Sequence, residues 1–299
     1  MRFLACSAGL IVCTMAVTAG SAAPRSALHR QDSSVGALVA RCAEYIAAYQ
    51  QAFAFLVADE RYVQLAVRVD RGARGGRSDE PRPIRRVMRG ELFLTYLAAD
   101  RRWVALHDVA EVDGTPVAAR EDLRALLAVS PVQSVAGRLF RHNARYNIGS
   151  IARNFNEPTL ALQVLDPLHR ASFDFRVQDA GRPFPPRVVT LTFRERGRPT
   201  LVRSLDGRAV FSSGEIDIEA ASGTVTRTRI AFRHEAIDAE LITTYAHDAR
   251  LDLWLPTVFT ERYTTGARDG RPAEVITADA RYENYRRFEG RGRVVTDDR

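Results

Sequence analysis

Residues 224–265 read TVTRTRIAFRHEAIDAELITTYAHDARLDLWLPTVFTERYTT. Runs at 224–232, 237–245 and 253–263 are parted by short gaps, the second of which carries the turn signal Asp248-Ala249-Arg250. Strands joined by turns this short lie antiparallel to their sequence neighbours, so the stretch predicts a meander. Upstream the same reading extends to strands at 173–177, 188–193, 200–205 and 215–220, and downstream to 274–288. Asp206-Gly207, Ala221-Ser222-Gly223 and Asp269-Gly270 supply turns between them. The predicted meander covers 171–288.

Farther toward the N-terminus the hydrophobic period changes twice. Val35, Leu38, Val39, Cys42, Tyr45, Ile46, Tyr49, Phe53 and Leu56 recur at intervals of three and four behind Asp32-Ser33-Ser34, which can cap a helix. This predicts a helix over 35–58 whose apolar stripe packs on something larger, with Cys42 inside the stripe as a small buried hydrophobe. From Tyr62 the period is two: Val63, Leu65, Val67 and Val69 alternate with Gln64, Ala66, Arg68 and Asp70. Strands are expected across 62–117, interrupted by a basic Arg-Gly loop at 71–77 and turned by Asp113-Gly114. A central helical block is expected at 120–165: Leu123, Leu126 and Leu127 mark one helix, Ser130-Pro131 starts a second, and 158–165 adds a short third. The fold class is therefore α+β: a strongly curved antiparallel β-sheet, an incomplete barrel, with an N-terminal helix and a central helical block packed on it, the helices lying in or against its hollow side.

The chain opens with Met1-Arg2, an apolar run at 3–17 and Ala19-Gly20-Ser21-Ala22-Ala23-Pro24. A positive start, a short apolar core and small residues at the end make a Sec-type signal peptide over 1–22, cleaved near Ser21 or Ala22. The run is too short to span a membrane. Residues 23–299 are read as one half-barrel-like domain, periplasmic or secreted, with no transmembrane segment in the mature chain. Cleavage removes Cys6 and Cys13 and leaves Cys42, so no internal disulfide is expected.

All 43 basic residues are arginine, which excludes Schiff-base chemistry, a Walker A loop and Ser-Lys nucleophile pairs, each of which needs a lysine. The net charge of +7 favours anionic surfaces such as lipid head groups. Nucleic acid fits the charge but not an exported protein, and it is not expected as a partner. No G-x-S-x-G, G-x-G-x-x-G or H-E-x-x-H occurs, and the histidines have no metal-ligand spacing, so no catalytic residue, metal or cofactor is expected. His107-Asp108 and His234-Glu235 are adjacent on strands and point to opposite faces. Glu215, Asp217 and Glu219 alternate with Ile216 and Ile218 and read as a solvated face.

Two groups are candidate ligand-binding residues. Arg141 and Arg145 stand four apart on one helical face and suit an anionic head group, or else they meet the last carbonyls of a helix ended by Asn147 or Gly149. Trp254, Tyr282 and Phe288 are expected on the sheet's apolar side, as core packing or as the wall of a ligand cavity.

The order of elements over nearly the whole mature chain resembles the LolA/LolB-like periplasmic lipoprotein-sorting carriers. Locally the resemblance rests on Leu253-Trp254-Leu255-Pro256, Glu261-Arg262-Tyr263 and 280–288, ARYENYRRF. Segments 145–149 and 158–162 are also similar to a group of exported bacterial proteins of unassigned function. The resemblance implies an incomplete barrel that holds acyl chains on an apolar concave face under a helical lid. It implies an exported, non-enzymatic carrier or binding protein for a lipid or lipoprotein acyl group in the bacterial envelope. The alternative is an envelope protein–protein interaction module whose barrel is filled by the extra helices, and third a hydrolase with no recognisable motif.

Overall fold

The structure is a computed structural model, and it describes residues 25–53, 55–69, 82–118, 120–151, 153, 157–178, 187–204, 206–267 and 272–288. The leader reading, the basic loop at 71–77 and the Asp269-Gly270 turn lie outside the described residues.

Helix α1 (Arg25–Ala52) leads into β1 (Leu56–Val69), β2 (Ile84–Leu97), β3 (Arg102–Val112) and the short β4 (Thr115–Pro116). Helices α2 (Leu123–Val129) and α3 (Val132–Asn143) follow. After a 3-10 turn at Leu160–Leu165 come β5 (Phe173–Val177), β6 (Val188–Glu195), β7 (Val202–Arg203), β8 (Ala209–Val210) and β9 (Ser212–Glu219). The last strands are β10 (Val225–His234), β11 (Ile237–Asp248), β12 (Leu253–Thr265) and β13 (Ala273–Arg287). Eleven strands make one open antiparallel sheet in the order β4-β3-β2-β1-β13-β12-β11-β10-β9-β6-β5. The two β blocks of the sequence become one sheet because β1 pairs with β13, with Tyr62 opposite Ala280 and Leu65 opposite Thr277. This is the α+β incomplete barrel that the alternation predicts.

Helix α1 lies in the hollow with Leu38, Cys42, Ile46, Tyr49 and Phe53 buried in the main core. Fully burying aliphatic or aromatic side chains of this kind contributes about 1.5–3 kcal/mol each. Cys42 is 0% exposed, and burial pushes its thiol up to about 12. Such a thiol is a core hydrophobe rather than a nucleophile. The β9–β10 turn holds the outer side of α1: the Arg41 guanidinium donates to the Ala220 carbonyl. Gly223 approaches so closely that a Cβ would stand 2.8 Å from the Arg41 carbonyl oxygen, and its φ of +77° suits glycine.

Three local expectations are corrected. The helix ends at Ala52, not at residue 58, and strand begins at Leu56 rather than Tyr62. Leu56 pairs with Leu94 on one side and Arg287 on the other, so ladder bonding on both edges overrides the continuing helical spacing. The strand expected at 200–205 is reduced to β7, which pairs only with β8 and stands apart from the large sheet. Helices α2 and α3 do not enter the hollow. They cover the opposite face of β1–β3, where Leu123, Leu127, Val135 and Ala136 pack on Val57, Phe93, Val104 and Leu106. Of the central block's described residues, Ile148, Ile151 and the Leu160–Leu165 turn, which is buried throughout, join α1 in the main core. Alternation explains the split: Leu92 and Leu94 face α1 while Phe93 faces α2.

Candidate functional site

The β7–β8 hairpin closes around Asp206 and Gly207, whose φ of +81° the tight turn requires. Val202 and Val210 face each other across it and point to the core. Beneath them, alternation on the neighbouring strands turns Phe232 of β10, Ile237 and Ala239 of β11 and Tyr263 of β12 to the same side. Together with Ile151 and Arg153 these residues line a cavity of about 370 Å³. Its rim is polar, formed by Arg203, Ser204, Asp206, Arg208 and His234. Arg208 pairs with Asp206 at 2.5 Å and with Glu235 at 2.6 Å. The Ser204 hydroxyl and then Arg208 hold the exposed Asp206 carboxyl down to about 2, so the rim keeps its charges at neutral pH.

A polar cluster lies at the inner side. Arg153 is 4% exposed. Its guanidinium donates to the Ile148 carbonyl at 2.8 Å and to the Gln64 side-chain oxygen, and sits 5.6 Å from the Tyr263 ring centroid. Gln64 is fixed in turn, accepting from Ile148 N–H at 3.2 Å and donating to the Tyr146 carbonyl at 3.1 Å. Buried Glu261 accepts from Tyr62 at 3.0 Å through Oε1 and from Tyr263 at 2.8 Å through Oε2. Burial raises its carboxyl against the opposing charge of Arg153. Glu60 meets His107 Nδ1 at 2.8 Å. A second cavity of about 40 Å³ touches Glu60, Tyr62, His107, Asn143 and Arg153, with room for one water. Arg153 thus lines both cavities.

Glu157, half-buried near this cluster, has its carboxyl pushed up to about 8 by burial, against the charge of Arg102, a hydrogen bond from Gln163 and the charge of His107. A carboxyl whose folded pKa is raised stabilises fully below its unfolded value of about 4.3, and that stability is lost as pH rises through the folded value. Urea unfolding between about pH 5 and about pH 9 is therefore expected to show falling stability, with a shallower fall in Glu157→Gln. Equal slopes in the two proteins would contradict this.

None of the ligand-binding candidates from the sequence lines the larger cavity. Tyr282 does face the main core, 2% exposed, and its hydroxyl finds no partner among the described residues. Trp254 is half-buried beside exposed His247, ring centroids 6.0 Å apart, and its carbonyl accepts from Tyr49. Phe288 is corrected outright: it packs with Phe55 and Phe93 at 4.9 and 5.6 Å in the second cluster, on the face away from α1. It follows the end of β13, where alternation no longer applies. Arg141 and Arg145 are exposed near the end of α3, and Arg145 donates to His142 and to the Tyr146 hydroxyl at 2.6 Å. The acidic trio carries ion pairs instead of a site, with Arg187–Glu219 at 3.2 Å and Arg227–Asp217 at 3.6 Å.

Sequence reading missed Val202, Val210, Phe232, Ile237, Ala239, Tyr263 and Arg153. A valine on each side of the Asp206-Gly207 turn is a visible hairpin signal, whereas nothing local marks Arg153, which sits in an irregular segment. Among the described residues no cluster of His, Cys, Asp and Glu is arranged to hold a metal ion, and no helix is long and apolar enough to cross a membrane.

No family model matches the chain, and no curated protein matches it. Among solved structures it is similar to a domain from Vibrio parahaemolyticus named as an outer membrane lipoprotein-sorting protein. The identity is 10% and the TM-score 0.34, covering 83% of this chain and 92% of that one.

Proposed function

We propose that this protein is an exported, non-enzymatic binding protein that holds one acyl chain of a lipid or lipoprotein, in the cavity under the β7–β8 hairpin. The observation that carries the reading is the cavity of about 370 Å³ walled by Ile151, Val202, Val210, Phe232, Ile237, Ala239 and Tyr263. That volume is near the lower end of the roughly 300–1,000 Å³ of ligand sites, so it suits one chain. Burying acyl carbons gains about 0.8 kcal/mol per CH₂, so about ten methylenes supply roughly 8 kcal/mol before the costs of immobilisation. The arginines at the rim suit an acidic head group or an anionic lipid surface. The signal-peptide reading of residues 1–22 places the carrier in the periplasm or outside the cell.

A second reading, an envelope interaction module with a filled barrel, is favoured by the hollow itself, in which residues of α1 and of the Leu160–Leu165 turn are buried. Ala239→Phe separates the two. It projects a ring into the cavity, so native protein is expected to take up a fluorescent fatty-acid probe. The variant is expected to bind at least about tenfold more weakly, a loss of about 1.4 kcal/mol, while its melting temperature holds or rises. Native protein that leaves the probe free in solution, or a variant that binds as well as native, favours the interaction module.

A further inference from the structure

We infer that Arg153 is the receptor for the carboxylate of a free fatty acid, whose chain extends from it through the cavity beneath the β7–β8 hairpin. The inference rests on the acyl-binding reading and adds the chemical class of the ligand. Three observations carry it. First, Arg153 is a buried charge, 4% exposed, in a cavity wall that it shares with the apolar Ile151, Phe232, Ala239 and Tyr263. Second, among the described residues its polar neighbours are uncharged: the Ile148 carbonyl, the Gln64 amide oxygen and the Tyr62 hydroxyl. Third, its Nε–H is buried without an acceptor among the described residues.

Leaving a buried guanidinium with neutral partners is costly, and a carboxylate delivered by a ligand is its natural counter-ion. Among the described residues no carboxylate stands within ion-pair distance. Glu261 acts on Arg153 through space, but its two oxygens are held by Tyr62 and Tyr263. Gln64 and the Ile148 carbonyl hold the guanidinium against the Tyr263 ring, so its orientation is set before a ligand arrives. A planar fork of N–H donors matches a carboxylate, whereas an alcohol or an ester offers no charge to pair.

The test titrates native protein at neutral pH with dodecanoate, dodecanol, methyl dodecanoate and dodecyl phosphate, and repeats the series with Arg153→Gln. Dodecanoate is expected to bind native protein at least about tenfold more tightly than the alcohol and the ester. Arg153→Gln is expected to erase that preference while still binding dodecanol. Equal binding of acid, alcohol and ester to native protein overturns the role of Arg153 and leaves the acyl-binding reading standing. Tighter binding of dodecyl phosphate overturns the carboxylate assignment, as does a preference for acid that survives in Arg153→Gln. If no compound binds, the acyl-binding reading itself falls. The native series decides the matter even if the variant does not fold.

Discussion

Trp103→Ala is expected to destabilise the protein by about 3–5 kcal/mol, a large share of the roughly 5–15 kcal/mol that holds a domain folded. Trp103, at 1% exposure, is among the largest fully buried side chains of the described residues. It joins α1 to the β2–β3 hairpin: its ring lies edge-on to Phe53 at 4.6 Å, and 5.5 Å from Tyr49 and 5.1 Å from Tyr96. Truncation would leave a cavity at the point where the helix meets the sheet, walled by three rings that cannot all collapse inward. Trp103→Phe is a useful contrast. The indole Nε1–H is buried without an acceptor among the described residues, so replacing it sacrifices area but no hydrogen bond, and the loss should be much smaller. Urea titration of both variants measures this; a loss below about 1 kcal/mol in Trp103→Ala would show that α1 is not held through this cluster.

The second large effect is expected at Asp166, which is 1% exposed and ends the buried Leu160–Leu165 turn. Its carboxylate accepts from Gln50 of α1 at 2.9 Å, Arg101 of the β2–β3 turn at 3.0 Å, Tyr96 at 3.4 Å and the Leu168 N–H at 2.8 Å. One side chain thus ties helix, sheet and central block together. Burial alone would raise this carboxyl, but the Gln50 and Leu168 hydrogen bonds and the charges of Arg101 and His169 outweigh it and hold it below the usual carboxylate range. A depressed folded pKa contributes stability above the unfolded value of about 3.9, and that stability is lost as pH falls through the folded value. Asp166→Ala should therefore cost about 3 kcal/mol at neutral pH, from several charge-assisted bonds discounted because Arg101 is half exposed. Its acid-unfolding curve should also be flatter than that of native protein. Asp166→Asn, which keeps the shape and one acceptor, should lose less. If Asp166→Ala unfolds with acid along the native curve, the carboxylate is not the anchor described here.

How much of this was legible in the chain differs by element. The three- and four-residue spacing of Leu38, Cys42, Ile46, Tyr49 and Phe53 placed α1 and its buried stripe, and alternation from Val63 to Val69 placed part of β1. The short turns after residue 232 and around Asp248 made β10 to β12 an antiparallel meander. These signals are legible because a helix repeats near 3.6 residues and a strand at two, so spacing alone gives the type of element; in β1 it did not give the buried face, because Gln64 and Ala66 are buried while Val63, Leu65 and Val67 are only half-buried. The antiparallel incomplete barrel was determined at that level.

What the chain did not carry locally is which faces meet. Phe93 and Leu94 are neighbours with similar side chains, yet one packs under α2 and the other under α1, and only assembly of the sheet between two helical layers assigns them. For the same reason the central block was expected in or against the hollow side: the stripe of α2 shows that it needs a partner but not which side of β1–β3 supplies it. The candidate cavity is the extreme case. Val202, Phe232, Ala239 and Tyr263 come together only because β10, β11 and β12 pair in register and the β7–β8 hairpin folds over them, and Arg153 arrives from an irregular segment with no period to read. Secondary structure follows from local backbone geometry and apolar spacing, so the sequence by itself determined it. The cavity and its buried arginine depend on contacts between residues distant along the chain, and only the tertiary structure decided those.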